Sequence, residues 1–363
     1  MVAAVIPLVA LFGFGAGARG WHLACLFLAG AALYLHASVG PERALRGRPW
    51  MRGRLERRTG ATEGAVAARL APAKKALSRC AGIGLGGSDA AAVNRAILLG
   101  ERRALPASVR RDFISSGTMH VFAVSGLHVM VVAKVLALLL RLLLVPKRLA
   151  GAAAIPFVWA YVCVIGAPPS AVRAAMMAAF YFLAPLFWRR SDAVMAWSLT
   201  FVAVCVAKPR MLVEVGCALS FVVTLSIILA GECLRGGSPS ALFLVPVVAW
   251  AAGVPISAHV FGHVTPGGVL ANGALVPAAV VAVGTGVVGM LAGFASEPLA
   301  SHFNNLSALA TSAMGGVSAA VARLPFADFE VVPWSVPMCA AWYAALLLAL
   351  FLCAMRRARR KAL

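Results

Sequence analysis

The side chains most able to do chemistry are concentrated in residues 113–129, FISSGTMHVFAVSGLHV. This segment places His120, Ser125, Gly126 and His128 at the start of a long apolar run. Ser125 and His128 are three residues apart, so a helix would carry them on one face. Imidazole and hydroxyl groups at the mouth of a membrane helix are costly unless protein or water receives them. The pattern predicts a polar site at a helix start, and capping of the helix backbone is the alternative.

A second group surrounds an arginine in an apolar stretch, GAPPSAVRAAMM at 166–177. Pro168 and Pro169 precede Ser170, which can cap a following helix. Arg173 would then lie one turn into that helix among small and apolar residues. An arginine inside a membrane span indicates function by default. The alternative is a guanidinium that reaches the membrane surface from the first helical turn.

Two further polar positions occur in later apolar runs. Glu214 begins the segment EVGCALSF, which also contains Ser220, and it could pair with Arg173 or Arg210. Asn272 lies in the segment LANGALVP, within a helix that its final proline is expected to interrupt. Broken helices at membrane depth line cavities or pack against protein. Both segments are therefore candidates for the wall of a polar path.

The composition restricts which elements can position these groups. The chain has 363 residues, of which 62% are hydrophobic and 12% charged, and its mean hydropathy is +0.90. These values exclude an ordinary soluble domain and a disordered chain. They predict an all-α, polytopic helical membrane protein with roughly 9–11 transmembrane helices, some broken or re-entrant. Beyond the N-terminus, the predicted spans lie near 121–144, 149–165, 170–187, 193–207, 212–231, 241–261, 268–294 and 335–355.

The spacing of apolar and polar stretches predicts four parts. They are two N-terminal transmembrane helices (1–39), a basic polar region (40–118), a transmembrane channel-type domain (119–355) and a basic cytoplasmic tail (356–363). Amphipathic helices are expected in the polar region at Thr62–Cys80 and Asp89–Leu99, the second ended by Gly100. Residues 301–322 are only moderately apolar and could form a span, a re-entrant hairpin or an interfacial helix.

The charge balance points to polyanionic partners. The formal net charge is +21, and residues 41–112 hold 16 basic and 6 acidic residues. Such an excess is explained either by membrane orientation and anionic lipid or by nucleic acid. Lys134, Lys208 and Arg210 are candidates for phosphate contact.

The polar segments together resemble the ComEC-type competence proteins, the inner-membrane channels for DNA uptake in natural transformation. The resemblance rests on AVSGLHV after GTMH, preceded by ILLGER at 97–102 and followed by the three later segments in the same order. It implies a channel for single-stranded DNA in the bacterial inner membrane, with a separate nuclease, a DNA receptor, a cytoplasmic motor or strand-binding protein and a possible homo-oligomer. It implies no cofactor and no metal.

The resemblance covers only the channel part of that family. Full-length members also resemble a chain with an OB-fold domain and a metallo-β-lactamase-like nuclease domain. The interval 40–80 is too short and too rich in Arg and Ala for an OB barrel, and this sequence has no His-x-His-x-Asp-His motif. Cys217 and Ala218 also stand where the family often has an aromatic residue and Gln.

Other functions fit parts of the same pattern. A small-molecule or ion transporter would also use interrupted helices, and a competence channel that no longer conducts would retain the motifs. An intramembrane serine hydrolase would need Ser125 to meet a base such as His259 or His263. A zinc protease has less support, because the His259–His263 spacing lacks the glutamate beside the first histidine.

Overall fold

The structure, a computed structural model, describes residues 68–208, 211, 214–234, 240–325 and 327–362. The predicted helices within 1–39, most of the basic segment before Arg69, and Arg210 lie outside the described residues. The described part is almost entirely helical, which confirms the all-α fold class. Two short strands are the exception.

Three helices precede the long apolar runs. They are α1 (68–80), α2 (Asp89–Leu99) and α3 (Ala107–Ser115). The predicted bounds of α2 are confirmed, and Gly100 ends it with φ 71°. Helix α2 is more buried than expected for an amphipathic helix with one exposed face, because eight of its eleven residues are buried. This helix is therefore part of the packed bundle rather than a layer on its surface.

Nine further helices correspond to the eight predicted spans after residue 119 and to the segment 301–322. They are α4 (Gly126–Leu142), α5 (Lys147–Val164), α6 (Pro169–Leu183), α7 (Ala193–Ala207), α8 (Val215–Leu234), α9 (Ser240–Val260), α10 (Gly267–Ala292), α11 (Glu297–Ala322) and α12 (Val336–Ala362). Strands β1 (His263–Val264) and β2 (Phe329–Glu330) pair antiparallel.

Four of these helical segments are long and apolar enough to cross a membrane, namely Lys147–Val164, Pro169–Phe187, Gly267–Ala292 and Val336–Cys353. Three shorter apolar segments accompany them, at Ala193–Ala207, Val215–Gly231 and Leu244–Val260. The chain is therefore a membrane protein.

The centre of the described bundle is the antiparallel pair α10 and α11. Small residues allow the close approach, since a β-carbon added to Gly289 would collide with the Oδ1 atom of Asn304. The Ser307 hydroxyl lies 2.7 Å from the Ala282 carbonyl across the same interface. Helix α11 is continuous over its 26 residues, so the hairpin interpretation of 301–322 is wrong. Helix α10 likewise continues through Pro277 instead of breaking there.

Helix α12 attaches to α9 at a proline. Pro255 has no N–H, so it cannot bond the Ala251 carbonyl one turn earlier. The Trp342 indole N–H donates to that carbonyl at 2.8 Å, and the Tyr343 hydroxyl donates to the Ala252 carbonyl at 3.0 Å. Backbone groups freed by proline inside a membrane are commonly satisfied by a neighbouring helix in this way.

This contact predicts an energetic coupling between Trp342 and Pro255. We expect Trp342→Phe to cost about 1 kcal/mol of stability, because a buried carbonyl loses its donor. The cost should shrink in a Pro255→Ala background, where residue 255 again has an N–H for the Ala251 carbonyl. A double-mutant cycle of unfolding in detergent measures the coupling. Equal costs in the two backgrounds would contradict the assignment.

Candidate functional site

The segment identified first in the sequence forms the entrance to α4. Ser125 is the residue before the helix, in extended conformation, and the His128 ring folds back over it. The His128 Nδ1 atom lies 2.9 Å from the Ser125 hydroxyl and accepts the Ser125 backbone N–H at 3.3 Å. The pair therefore forms a reciprocal cap of the kind in which the third helical residue reaches back to the cap. The predicted shared face is confirmed, and so is the capping alternative.

The capping bonds leave one polar atom of His128 unused. Because Nδ1 accepts the backbone N–H, the neutral ring carries its proton on Nε2. The side chain is 1% exposed, and Nε2 has no hydrogen-bond partner among the described residues. A buried donor without an acceptor costs about 1–3 kcal/mol. The site therefore holds an N–H group available to a water or a ligand.

Ser125 is accordingly expected to act through the helix cap and not as a nucleophile. We expect Ser125→Ala to cost about 1 kcal/mol of stability. Ser125→Asn, which caps helices well but has no hydroxyl, should restore stability, and a serine-reactive probe should not label the parent chain. Labelling of the parent by a serine-reactive probe, lost in a stable Ser125→Asn protein, would contradict this.

The start of α6 packs against the start of α4. The Ser170 hydroxyl donates to the Val124 carbonyl at 2.9 Å. A β-carbon on Gly126 would lie 3.7 Å from the Ala174 methyl group, so the two helices touch one turn in. Two motifs separated by 46 residues along the chain therefore form one entrance, at the same end of both helices.

Gly117 fixes the approach of this entrance to α10. Its φ is +70°, and a β-carbon there would lie 2.9 Å from the Cβ atom of Thr265. The neighbouring Thr118 hydroxyl lies 3.0 Å from that of Ser318 on α11. The entrance of α4 is therefore held against both central helices.

Arg173 lies at the same end of α6, directed toward the start of α8. It is 3% exposed and donates from Nη2 to the Gly216 carbonyl at 3.0 Å. Its Nε and Nη1 atoms are buried and have no partner among the described residues. Of the Lys and Arg side chains that the structure describes, it is the only one in the buried class. The alternative of a guanidinium that reaches the membrane surface does not fit this burial.

The expected partner of Arg173 is replaced by a backbone carbonyl. Glu214 is exposed and contributes an electrostatic attraction, but no ion pair joins the two residues among the described contacts. The Arg173 guanidinium instead lies 6.0 Å from the Phe221 ring centroid. The charge is thus only partly compensated, which suits a site that receives an anion.

An aromatic cluster forms one wall beside Arg173. Phe221 contacts Trp197 and Phe201 edge to face, at centroid distances of 5.5 Å and 5.2 Å. The Trp197 indole N–H donates to the Phe221 carbonyl at 3.0 Å, and the side chain is 2% exposed. This tryptophan therefore has a structural role in joining α7 to α8.

The remaining predicted site residues are half-buried or exposed. Asn272 is half-buried on α10, and its Oδ1 atom has no partner among the described residues. Ser220 is half-buried on α8. His120 is exposed, with Nδ1 3.3 Å from the Gly117 carbonyl. Lys134 and Lys208 are exposed on α4 and after α7, so the described structure does not gather them with Arg173.

The two histidines proposed as hydrolase bases bond elsewhere. His259 Nδ1 lies 2.6 Å from the Trp334 carbonyl, and His263 Nδ1 lies 3.4 Å from an Asp328 carboxylate oxygen. Ser125 pairs with His128 instead. Within the described residues, no three His, Cys, Asp or Glu side chains come together as a metal site.

A buried polar stripe runs along α11 and was not predicted from the sequence. Asn304 donates to the Cys80 and Ile83 carbonyls at 2.8 Å and 3.0 Å, and Ser307 lies 2.6 Å from the Asn94 amide oxygen. The sequence spacing of these residues could have predicted the stripe. The buried residues concerned are Asn304, Ser307, Thr311, Met314, Ser318 and Val321. Steps of three and four residues indicate one helical face.

Comparison with known proteins identifies the group to which this arrangement belongs. A family profile described as "Competence protein" matches residues 97–356, which contain the α4 entrance, Arg173 and both central helices. The chain belongs to the competence protein family. The match begins at Ile97 in α2, which agrees with the burial of that helix in the bundle.

Two relatives of the competence protein show how far the similarity extends. This chain is 29% identical over 175 residues to ComE operon protein 3 of Bacillus subtilis. The alignment covers 48% of this chain and 23% of the relative. The chain is 31% identical over 211 residues to an uncharacterized protein of Aquifex aeolicus, covering 57% of this chain and 49% of the relative. The aligned part thus spans less than half of each relative. No solved structure matches.

Proposed function

We propose that this competence protein forms the transmembrane path through which single-stranded DNA crosses the bacterial inner membrane during natural transformation. Family membership and the Bacillus subtilis relative support a role in competence-related DNA uptake. The DNA path, the multi-pass topology and the inner-membrane location are the finer parts of the proposal.

The observation that carries the proposal is the buried, partly unpaired guanidinium of Arg173. Single-stranded DNA has one phosphate charge per nucleotide, so a path across about 30 Å of hydrocarbon needs cationic donors along it. The unpartnered Nε and Nη1 atoms of this fixed arginine are charge-assisted donors of the kind that phosphate oxygens accept. A site with few such groups also allows the strand to leave, as conduction requires.

The uncompensated charge also favours function over stability. Burying a guanidinium with a single described hydrogen bond is unfavourable in a membrane protein. Sequences retain such residues where an activity depends on them. The orphaned Nε2 group of His128, at the end of α4 that Ser170 joins to α6, adds a second polar position near this entrance.

The proposal assigns roles to other molecules. We propose that the chain is not itself an enzyme and holds no cofactor, so a separate nuclease would degrade the other strand. A DNA receptor outside the membrane and a cytoplasmic motor or strand-binding protein would deliver and pull the strand. Anionic lipid and a second copy of the chain are the remaining proposed partners.

Genetic complementation tests the proposal. The chain is expressed in a naturally competent bacterium that lacks its own competence channel domain, with the nuclease domain supplied separately. We expect transformants, and internalised labelled DNA, only when the chain is present. If the membrane-inserted chain transports a small molecule but never DNA, the result favours the small-molecule transporter. If it transports neither, the result favours the non-conducting remnant.

A further inference from the structure

Two exposed turns meet at the end of the bundle opposite the α4 entrance. One turn joins α4 to α5, and the other follows α6. We call their shared surface the basic platform and define it by Leu143, Leu144, Arg148, Trp188, Arg189 and Arg190. The Arg148 guanidinium lies 4.6 Å from the Trp188 ring centroid, which brings the two turns together.

The apolar members of the platform project away from the protein. Leu144 is 91% exposed and Trp188 is 82% exposed, although large apolar side chains normally avoid water. Both residues adopt left-handed backbone conformations, with φ of 65° and 54°. This conformation costs an L residue about 1–2 kcal/mol. Capping hydrogen bonds at these helix ends, such as Val145 N–H to the Leu140 carbonyl at 3.0 Å and Arg189 N–H to the Ala184 carbonyl at 3.1 Å, offset that cost. The side chains themselves remain exposed, so their apolar surface is available to a partner outside the protein.

The charged members of the platform are all arginines, and acidic residues are scarce in the surrounding sequence. Between residues 141 and 192, Asp192 is the only acidic residue. Its carboxylate caps α7, where it accepts the Val194 and Met195 N–H groups at 2.8 Å and 3.1 Å. Arg189 and Arg190 are exposed beside it. In the part of the chain that the structure describes, no ion pair neutralises the arginines of the platform.

We propose that the basic platform is a binding surface for anionic phospholipid. Its arginines would contact headgroup phosphates, while Leu143, Leu144 and Trp188 enter the boundary of the acyl region. Aromatic and long cationic side chains at one level suit a membrane interface. A nucleic acid would fit less well, because Arg148 already covers one face of Trp188 and leucine offers no stacking surface. The inference does not depend on the proposed DNA path.

The test measures lipid binding by the purified full chain in detergent. Fluorescent phosphatidylglycerol is titrated against the parent, against Arg148→Gln/Arg189→Gln/Arg190→Gln, and against a control with the same charge change, Arg103→Gln/Arg110→Gln/Arg111→Gln. The control positions are exposed and lie outside the platform. Phosphatidylcholine serves as the uncharged-lipid control. A third variant, Arg148→Lys/Arg189→Lys/Arg190→Lys, retains the charge and guards against a folding defect.

We expect the platform variant to bind phosphatidylglycerol about a hundredfold more weakly, because each basic residue near an anionic surface contributes a factor of about five. The control and the lysine variant should remain within about threefold of the parent. Equal binding by the platform variant and the parent would overturn the proposal. So would a single-stranded oligonucleotide that displaces the lipid and loses its own binding in the same variant, since that would assign the platform to nucleic acid.

Discussion

Replacing Arg173 with alanine is expected to lower transformation by at least about a hundredfold without destabilising the protein. The guanidinium donates one bond, to the Gly216 carbonyl, and keeps two buried N–H groups unpartnered among the described residues. Truncating a donor that contacts a charged ligand commonly costs 2–5 kcal/mol of binding. The loss of the bond to Gly216 is offset by removal of a guanidinium whose burial is itself unfavourable. Transformation should therefore fall while the stability of the protein is retained.

The controls for this experiment use residues of the same type. Arg141→Ala removes an exposed arginine from α4 and should change transformation by less than about threefold. Arg173→Lys keeps the charge but loses the planar donor arrangement, so it should recover only part of the activity. Transformants per viable cell, membrane protein level and the unfolding midpoint in detergent are measured together. An Arg173→Ala protein that transforms normally would contradict a role for this residue in the path.

Gly117→Ala is expected to have the largest effect on stability, about 2–4 kcal/mol. The change forces an L residue into φ +70° and brings its β-carbon to 2.9 Å from Thr265 Cβ. The first effect costs about 1 kcal/mol, and the second adds the cost of overpacking. Gly166 provides a matched control, because its φ is +91° but a β-carbon there meets no atom within 4 Å. Gly166→Ala should therefore cost only the backbone term.

The difference between these two alanine variants is the informative quantity. It is measured as the shift in unfolding midpoint in detergent, with helical content followed by circular dichroism. A Gly117→Ala protein as stable as Gly166→Ala would show that the α4 entrance does not pack against the start of α10. The relation between the entrance and the central helix pair would then be wrong.

Helix positions were predictable because the membrane demands long apolar runs. The predicted runs near 149–165 and 268–294 correspond to α5 and α10 within a few residues. The bounds of α2 followed from local chemistry, since Gly100 ends it in a left-handed conformation. Its burial did not follow, because Ser307 and Gly286, which lie against Asn94 and Leu98, are about two hundred residues away in the sequence.

Only the local half of the candidate site was predictable. The Ser125–His128 contact follows from helical spacing, and the structure contains it. The bond from Ser170 to the Val124 carbonyl could not be predicted, because backbone acceptors carry no signal in the side-chain sequence. The hydrogen bond of Arg173 could not be predicted for the same reason. Its acceptor is the Gly216 carbonyl, although the carboxylate of Glu214 lies only two residues from Gly216 in the sequence.

The wrong hydrolase pairing has a similar origin. His259 and His263 are polar residues in apolar surroundings, which made them plausible partners for Ser125. In the structure His259 contacts the Trp334 carbonyl and His263 lies at the start of β1, where it contacts Asp328. Two-residue strands are too short to be predicted from alternation of apolar residues. Their pairing, and with it the position of both histidines, emerges only in three dimensions.

The most direct measurement places a photo-cross-linker beside Arg173 in cells that are taking up DNA. Gly216 suits it, because this exposed residue accepts a hydrogen bond from Arg173 at its carbonyl, and a β-carbon added there meets no atom within 4 Å. Gly216→p-benzoylphenylalanine is compared with the same substitution at Val206, which is 80% exposed on α7. We predict that labelled incoming DNA is captured at position 216 and not at 206. Normal transformation with no DNA captured at 216 would contradict a path past Arg173.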